Sequence, residues 1–238
     1  EVIFALLMLL SFFSIFLTYN LVFLKNRNLN FFQEDIYLLF YLFFLIIIFF
    51  SFLNFDYDFS LILFSIASSV SNIGLSLKNT PSSLSFLFLI LVIIGGSFFS
   101  TSSGIRFFKL YILFKFSIDN LISHVKPKTV SNKKQLFFDI SFDNLIINKY
   151  FLSVLIFLIS MLFLSCFLTF FGISFENSFK ISILTLMNTV NSSMYGIEDF
   201  NFENLQFIIK YFLIFFMIIG RVELLTLLII LKKFLFKS

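Results

Sequence analysis

Phe64–Gly74 reads FSIASSVSNIG, and Leu184–Met194 reads LTLMNTVNSSM, 120 residues further on. The two stretches share a pattern: an apolar run, small hydroxyl residues, then asparagine before a turn. Each belongs to a short apolar run of about 12 residues, Phe59–Val70 or Phe179–Val190. A helix of that length cannot cross a bilayer, which takes about 20 apolar residues. Each run ends in a polar cluster, Ser71-Asn72 or Asn191-Ser192-Ser193. A short apolar helix that dips in and turns back on polar backbone is a re-entrant pore helix. A second match, Ile93-Ile94-Gly95 with Ile218-Ile219-Gly220, recurs at an offset of 125. The chain thus reads as two copies of helix, pore helix, polar turn, helix, and repeats of one unit build symmetric assemblies.

Around these runs lie longer ones. Val2–Leu24, Tyr37–Phe55 and Tyr150–Phe171 read as transmembrane helices. Leu84–Phe116 is broken by Gly95-Gly96-Ser97 and Ser100–Gly104, and Asn204–Phe236 carries Gly220, Arg221 and Glu223. The 238 residues are 60% hydrophobic and 13% charged, a balance no soluble domain can hide. The 43 Phe match an AT-rich codon bias and carry no functional content. Glu1 leads into an apolar run with no signal-peptide pattern, so the simplest expectation is a fragment of a longer chain. The expected fold class is an all-α membrane protein: two M1–pore helix–M2 repeats plus one preceding transmembrane helix, half of a pseudo-fourfold ion pore. Residues 1–24 end a truncated upstream unit, 25–116 form the third unit, 117–149 a basic connection, and 150–238 the fourth unit.

Charge fixes the orientation. Lys25 and Arg27, the lysines of Ser117–Lys149, and Lys232, Lys233 and Lys237 fall in connections that the positive-inside rule places in the cytoplasm. The parity works only if both short runs return to the side they entered from, and it puts the C-terminus in the cytoplasm. The net charge of +4 follows from this topology and gives no reason to invoke nucleic acid. Cys166, a single cysteine in an apolar segment, reads as a buried filler, without a disulfide or metal framework. His124 is the single histidine and lies in a basic connection, away from any metal or general-base arrangement. No carboxylate pair, Ser/His arrangement, phosphate loop or redox motif stands out, so no enzyme and no cofactor is expected.

A cation crossing lipid must exchange its hydration shell for other oxygens, and rings of backbone carbonyls do this. Extended backbone with a glycine where φ turns positive suits that task. Val70-Ser71-Asn72-Ile73-Gly74, directly after a short helix, has that form. The residues leave two readings, a filter turn or an ordinary polar loop. The Gly95–Gly104 stretch leaves two as well: a loop beside a watery cavity, or a kink in tightly packed helices. Arg221 lies deep in an apolar helix, where charge costs at least ~2.5–3.5 kcal/mol and calls for a partner. Glu223, two positions on, points elsewhere on a helix; the carbonyls of the Gly95–Gly104 loop are the expected partner. The other reading is a structural arginine tied to Glu223 through helix packing.

Several stretches resemble the Trk/Ktr/HKT potassium transporters, and the Trk-type uptake proteins in particular. Ser71-Asn72-Ile73-Gly74-Leu75 is similar to the family's single-glycine filter turn. Gly95-Gly96-Ser97-Phe98-Phe99-Ser100-Thr101-Ser102-Ser103-Gly104-Ile105-Arg106 resembles its intramembrane loop, often GGCSGSTGGGIK. Gly220-Arg221-Val222-Glu223-Leu224-Leu225-Thr226 resembles its GRLE(I/L)(F/L)T motif, and His124–Val130 its HPxxV stretch. The resemblance runs in order along the whole chain, with Met8–Tyr19 similar to the helix ending the second unit.

The resemblance implies uptake of potassium, as substrate, through filter turns at Ser71, Asn72, Ile73 and Gly74 and at Asn191, Ser192, Ser193 and Met194. It implies a gate at Gly95, Gly96, Ser97, Ser100, Thr101 and Gly104, latched by Arg221. It implies the inner membrane of a bacterium, a homodimer, surrounding lipid, the N-terminal half of the same transporter, and a cytoplasmic nucleotide-binding regulatory subunit. The 117–149 connection is expected either to dock that subunit or to face anionic lipid. Three departures stand out: Met194 at an expected filter glycine, Phe98 and Phe99 in the loop, and Ser103 in a Gly-Gly pair. They keep open a second function, a non-conducting structural or assembly subunit or a decayed transporter.

Overall fold

The computed structural model describes residues 1–13, 29–52, 58–77, 84–97, 100, 102–125, 144–197 and 202–222. Among these, eight α-helices carry the fold. α1 is Val2–Phe12, α2 Leu29–Phe52, α3 Phe59–Val70, α4 Ser85–Ile93, and α5 Phe107–Val125. α6 is Asn144–Phe170, α7 Phe175–Leu186, and α8 Phe207–Val222. Two short extended segments, β1 (Ile94–Gly95) and β2 (Ile105–Arg106), pair in parallel between α4 and α5.

Two helices among the described residues are long and apolar enough to cross a membrane, at Glu34–Ser51 in α2 and Ile146–Phe170 in α6. α6 is apolar all round, as lipid on one side and protein on the other require. Leu164 and Leu168 are fully buried, while Phe151, Leu155 and Phe163 face outward. The hydroxyls of α6 bond within the helix: Ser160 Oγ donates to Phe157 O and Thr169 Oγ1 to Ser165 O, both at 2.8 Å. A polar side chain satisfied in this way costs little in an apolar surround.

α3 and α7 each have 12 residues, or about 18 Å of helix, well short of a ~30 Å hydrocarbon core. α3 packs against α1, α2 and α4, and α7 against α6, α8 and α4. The α4–α7 contact joins the two halves. Serine makes α3 compact: Ser65, Ser68 and Ser69 are fully buried. Ser65 Oγ donates back to Leu61 O at 2.9 Å, and Ser69 Oγ to Ser65 O at 2.8 Å. Small, internally satisfied side chains let neighbouring helices approach closely.

The elements correct several sequence-derived bounds. α3 coincides with the short run Phe59–Val70, but α7 begins and ends four residues before Phe179–Val190. Its first turn holds polar Glu176 and Asn177, which a hydropathy window discards; Thr189 and Val190 lie beyond its end. The run Leu84–Phe116 divides at the loop, and its second helix continues to Val125. The connection placed at 117–149 is therefore helical at both margins, since α6 starts at Asn144. Residues 126–143 of that connection, and the charges at Lys25, Arg27, Glu223 and 232–237, lie outside the described residues.

Candidate functional site

α3 and α7 end in the same way. Asn72 and Asn188 take left-handed backbone, with φ of 61° and 53°. In the first turn, Ile73 N–H donates to Ser68 O (3.1 Å) and Asn72 N–H to Ser69 O (3.1 Å). In the second, Thr189 N–H donates to Leu184 O (2.9 Å) and Asn188 N–H to Thr185 O (3.2 Å). Both are Schellman closures, in which a left-handed residue lets two late carbonyls find donors. Asparagine is the non-glycine residue that tolerates this conformation best.

This common ending sets the register. α3 and α7 start 116 residues apart, at Phe59 and Phe175, and have the same length. Asn72 therefore corresponds to Asn188, and Gly74 to Val190. The offset of 120, which paired Gly74 with Met194, is wrong by one helical turn. Met194 instead sits in a 3-10 turn, Ser193–Tyr195, with its side chain fully buried in the core. Gly196 closes that turn with φ of 65°. Asn191 and Ser192 are half-buried, and Ser193 is exposed, its Oγ 3.3 Å from Ser76 Oγ.

The two turns meet. Val190 N–H donates to Ile73 O at 3.2 Å. Gly74 has φ of 80°, and a Cβ there would fall on Val190 O and 2.7 Å from Thr189 Cγ2. Glycine at 74 thus answers two demands, a left-handed backbone and the approach of the second turn. Ser68 Oγ donates to Leu75 O at 2.7 Å. Ser71 Oγ donates to Ala67 O at 2.6 Å, inside the helix end. Neighbouring helices hold the turns from behind: Asn72 Nδ2–H donates to Val92 O of α4 (2.9 Å), and Asn188 Nδ2–H to Met217 O of α8 (3.0 Å). Interhelical bonds of this kind are worth roughly 0.6–2 kcal/mol in membrane proteins.

Beneath α4 the chain leaves the helix and returns. β1 pairs with β2, Ile94 opposite Ile105 and Gly95 opposite Arg106, so the intervening residues form a closed loop. Gly96 N–H donates to Ser102 Oγ (2.8 Å), Ser100 Oγ to Ser97 O (2.8 Å), and Ser97 N–H to Phe12 O (3.1 Å). Ser97, Ser100, Ser102 and Ser103 are all buried. A Cβ on Gly96 would strike Phe12 O, which explains the glycine under the end of α1. Thr101, Phe98 and Phe99 lie outside the described residues.

Arg106 organises this loop. Its Nη1 donates to Ser100 O (2.9 Å), Ser100 Oγ (3.0 Å), Ser97 O (3.2 Å) and Ser102 O (3.2 Å). All four acceptors gather on this one terminal nitrogen, whose two N–H groups are shared among them. Arg221, the residue assigned to this task from sequence, is exposed near the end of α8 and makes no hydrogen bond to the loop among the described residues. The sequence signal for Arg106 was present: a lone arginine inside the apolar run Leu84–Phe116 needs a partner by the same argument as Arg221. A cleft lined by Arg106, Lys109, Ser153, Ser160, Met187 and Gly220 runs from the loop to the end of α7. There Gly220 lets α8 reach the C-terminal carbonyl of Leu186, where a Cβ would not fit.

Outside the membrane-crossing helices, Lys180 Nζ bonds Glu176 Oε1 at 2.7 Å and Gly196 O at 3.1 Å. The hydrogen bond and charge of Lys180 hold the Glu176 carboxyl below the usual carboxylate range. This bridge ties the start of α7 to the segment after its turn.

No protein-family model matches the sequence, and no curated protein does. Among solved structures, the chain is similar to the potassium transporter TrkH from Vibrio parahaemolyticus, with a TM-score of 0.63 and 23% identity. The likeness covers 73% of this chain and 37% of that one. The chain therefore spans well under half of that transporter's length. Its fold is all-α and similar to the fold of that transporter.

Proposed function

We propose that the chain is part of a potassium, or more broadly monovalent cation, uptake pathway. The observation that carries this reading is the meeting of two pore-helix turns, Ser71–Gly74 and Asn188–Val190, through the bond from Val190 N–H to Ile73 O. Two short helices whose left-handed turns meet bring backbone carbonyls together, as a carbonyl-lined ion path requires. The likeness to a potassium transporter fold supports the same assignment. In this reading the Gly95–Gly104 loop gates the path, since non-helical backbone at membrane depth lines a cavity or lies buried in protein. The new register moves the second ion-lining stretch toward Thr189-Val190-Asn191, ahead of Ser192, Ser193 and Met194.

The complete pore takes further units of the same transporter, lipid around α2 and α6, and a second copy as a dimer. The basic 117–149 connection offers a cytoplasmic face to a nucleotide-binding regulatory subunit or to anionic lipid. These assignments place the chain in a bacterial inner membrane with its C-terminus in the cytoplasm.

One observation favours a second reading, a non-conducting structural or assembly subunit. Val190 stands where Gly74 stands in the first turn, and a β-branched residue resists the conformation that Gly74 adopts. Potassium uptake by the full-length protein in an uptake-deficient bacterial strain separates the two. Growth at limiting potassium supports transport. Absence of growth, with the protein shown in the membrane, supports the non-conducting subunit.

A further inference from the structure

Each pore-helix turn is tied to the helix behind it by one asparagine amide, and the two ties occupy matching places. Asn72 and Asn188 both close their helices in left-handed backbone. Their acceptors, Val92 and Met217, each lie three residues before the glycine of an Ile-Ile-Gly stretch, Gly95 or Gly220.

The two ties differ in what they replace. α8 runs unbroken past Met217 to Val222, so Met217 O keeps its place in the helical ladder and Asn188 adds a second bond. α4 ends at Ile93. The helical donor for Val92 O would be Gly96 N–H, but that group donates to Ser102 Oγ at 2.8 Å. Asn72 supplies the donor that the helix break removes, and a buried carbonyl left without one is costly. Asn72 is itself buried, and its Oδ1 has no hydrogen-bond partner among the described residues. The amide is therefore held through its nitrogen, on Val92 O.

We propose that Asn72 is a positioning residue that couples the Ser71–Gly74 turn to the Gly95–Gly104 loop, with Asn188 its uncoupled counterpart. The consequence for ion passage rests on the proposed function; the coupling itself does not. In the bent loop, Gly96 N–H is on Ser102 and Val92 O is on Asn72. Straightening α4 toward α5 would return Gly96 N–H to Val92 O, which would then accept both donors, as Met217 O does. In the bent loop Asn72 stands in for Gly96 on Val92 O, so the amide of the turn supports the bend and its loss favours the straightened helix.

Hydrogen exchange with mass spectrometry on the full-length protein in lipid nanodiscs tests this. Asn72→Gly keeps the left-handed backbone and removes the amide. Exchange is expected to rise together in peptides covering 71–77 and 94–104, by roughly fivefold, the ratio one lost neutral hydrogen bond gives. Asn188→Gly is expected to raise exchange in 187–194 and leave the loop unchanged. Ser102→Ala frees Gly96 N–H for Val92 O, which can accept both donors, and it is expected to raise exchange in 94–104 and leave 71–77 unchanged. Asn72→Asp, which tolerates the same backbone and lacks the amide donor, carries the test if Asn72→Gly does not fold. A loop unmoved when the amide of Asn72 is removed, or moved equally by Asn188→Gly, overturns the coupling. Rubidium flux through the unmodified protein in liposomes judges the proposed function separately, because exchange reads the coupling whether or not ions pass.

Discussion

The carbonyl of Val190 occupies the space into which a side chain on Gly74 would project. One turn is thus shaped by the other, and the glycine of the first is a condition for the second to come near. In the pseudo-symmetric pair the glycine is needed on one side, where the closest approach occurs, while Val190 keeps a negative φ.

Gly74→Ala should do more damage than its size suggests. Left-handed backbone costs an alanine about 1–2 kcal/mol, and the contact with Val190 O adds to it. Thermal unfolding of the full-length protein in detergent should show a lowered midpoint, and rubidium uptake should fall. Unchanged uptake with an unchanged midpoint contradicts the close approach. Val190→Gly, by contrast, leaves that carbonyl in place and removes only an exposed side chain, so it should preserve folding.

Arg106→Ala should release the loop. Four acceptors on Ser97, Ser100 and Ser102 lose one donor group. If the loop is the gate, basal rubidium leak should rise several-fold, because the closed arrangement loses its cage. Arg106→Lys keeps charge without the fork and should lie between the two. Arg221→Ala, at an exposed position, should change leak less than Arg106→Ala. The reverse order would return the latch to Arg221.

Gly220→Ala should separate α8 from α7. A methyl at this position meets Leu186 O and lies 2.8 Å from Leu186 C. Overpacking of this kind typically costs 1–3 kcal/mol. The check is the denaturation midpoint, with Ile219→Val as a nearby control of modest effect.

Acidification should loosen the segment after the second turn. Glu176 titrates below its unfolded value because Lys180 binds its charged form. Its contribution is therefore present above the unfolded carboxylate range and is lost as pH falls through the lowered folded value. Limited proteolysis between 196 and 207 should speed up at acid pH in the natural protein. In Glu176→Gln the segment should be equally labile at neutral pH, with little further response to acid.

The amino-acid sequence by itself determined the membrane class, the two short helices and the broken helix between them. Those follow from run length, from hydroxyls that a helix can satisfy internally, and from the cluster of glycines and serines at 95–104 that breaks the run Leu84–Phe116. It also located α3 correctly, because Asp58 and Ser71 bracket an unmixed apolar run. It misplaced α7 by one turn, because Glu176 and Asn177 are polar yet helical, whereas Thr189 and Val190 are apolar-looking yet extended. Only the tertiary structure decided which residue faces Gly74 and which arginine holds the loop. Both answers depend on contacts between residues far apart in the chain, such as Ile73 with Val190, or on a loop folding back on its own arginine. Periodicity records which side of a helix is apolar. It does not record which carbonyls a break leaves without donors, and in this protein Asn72 and Arg106 are placed to answer those carbonyls.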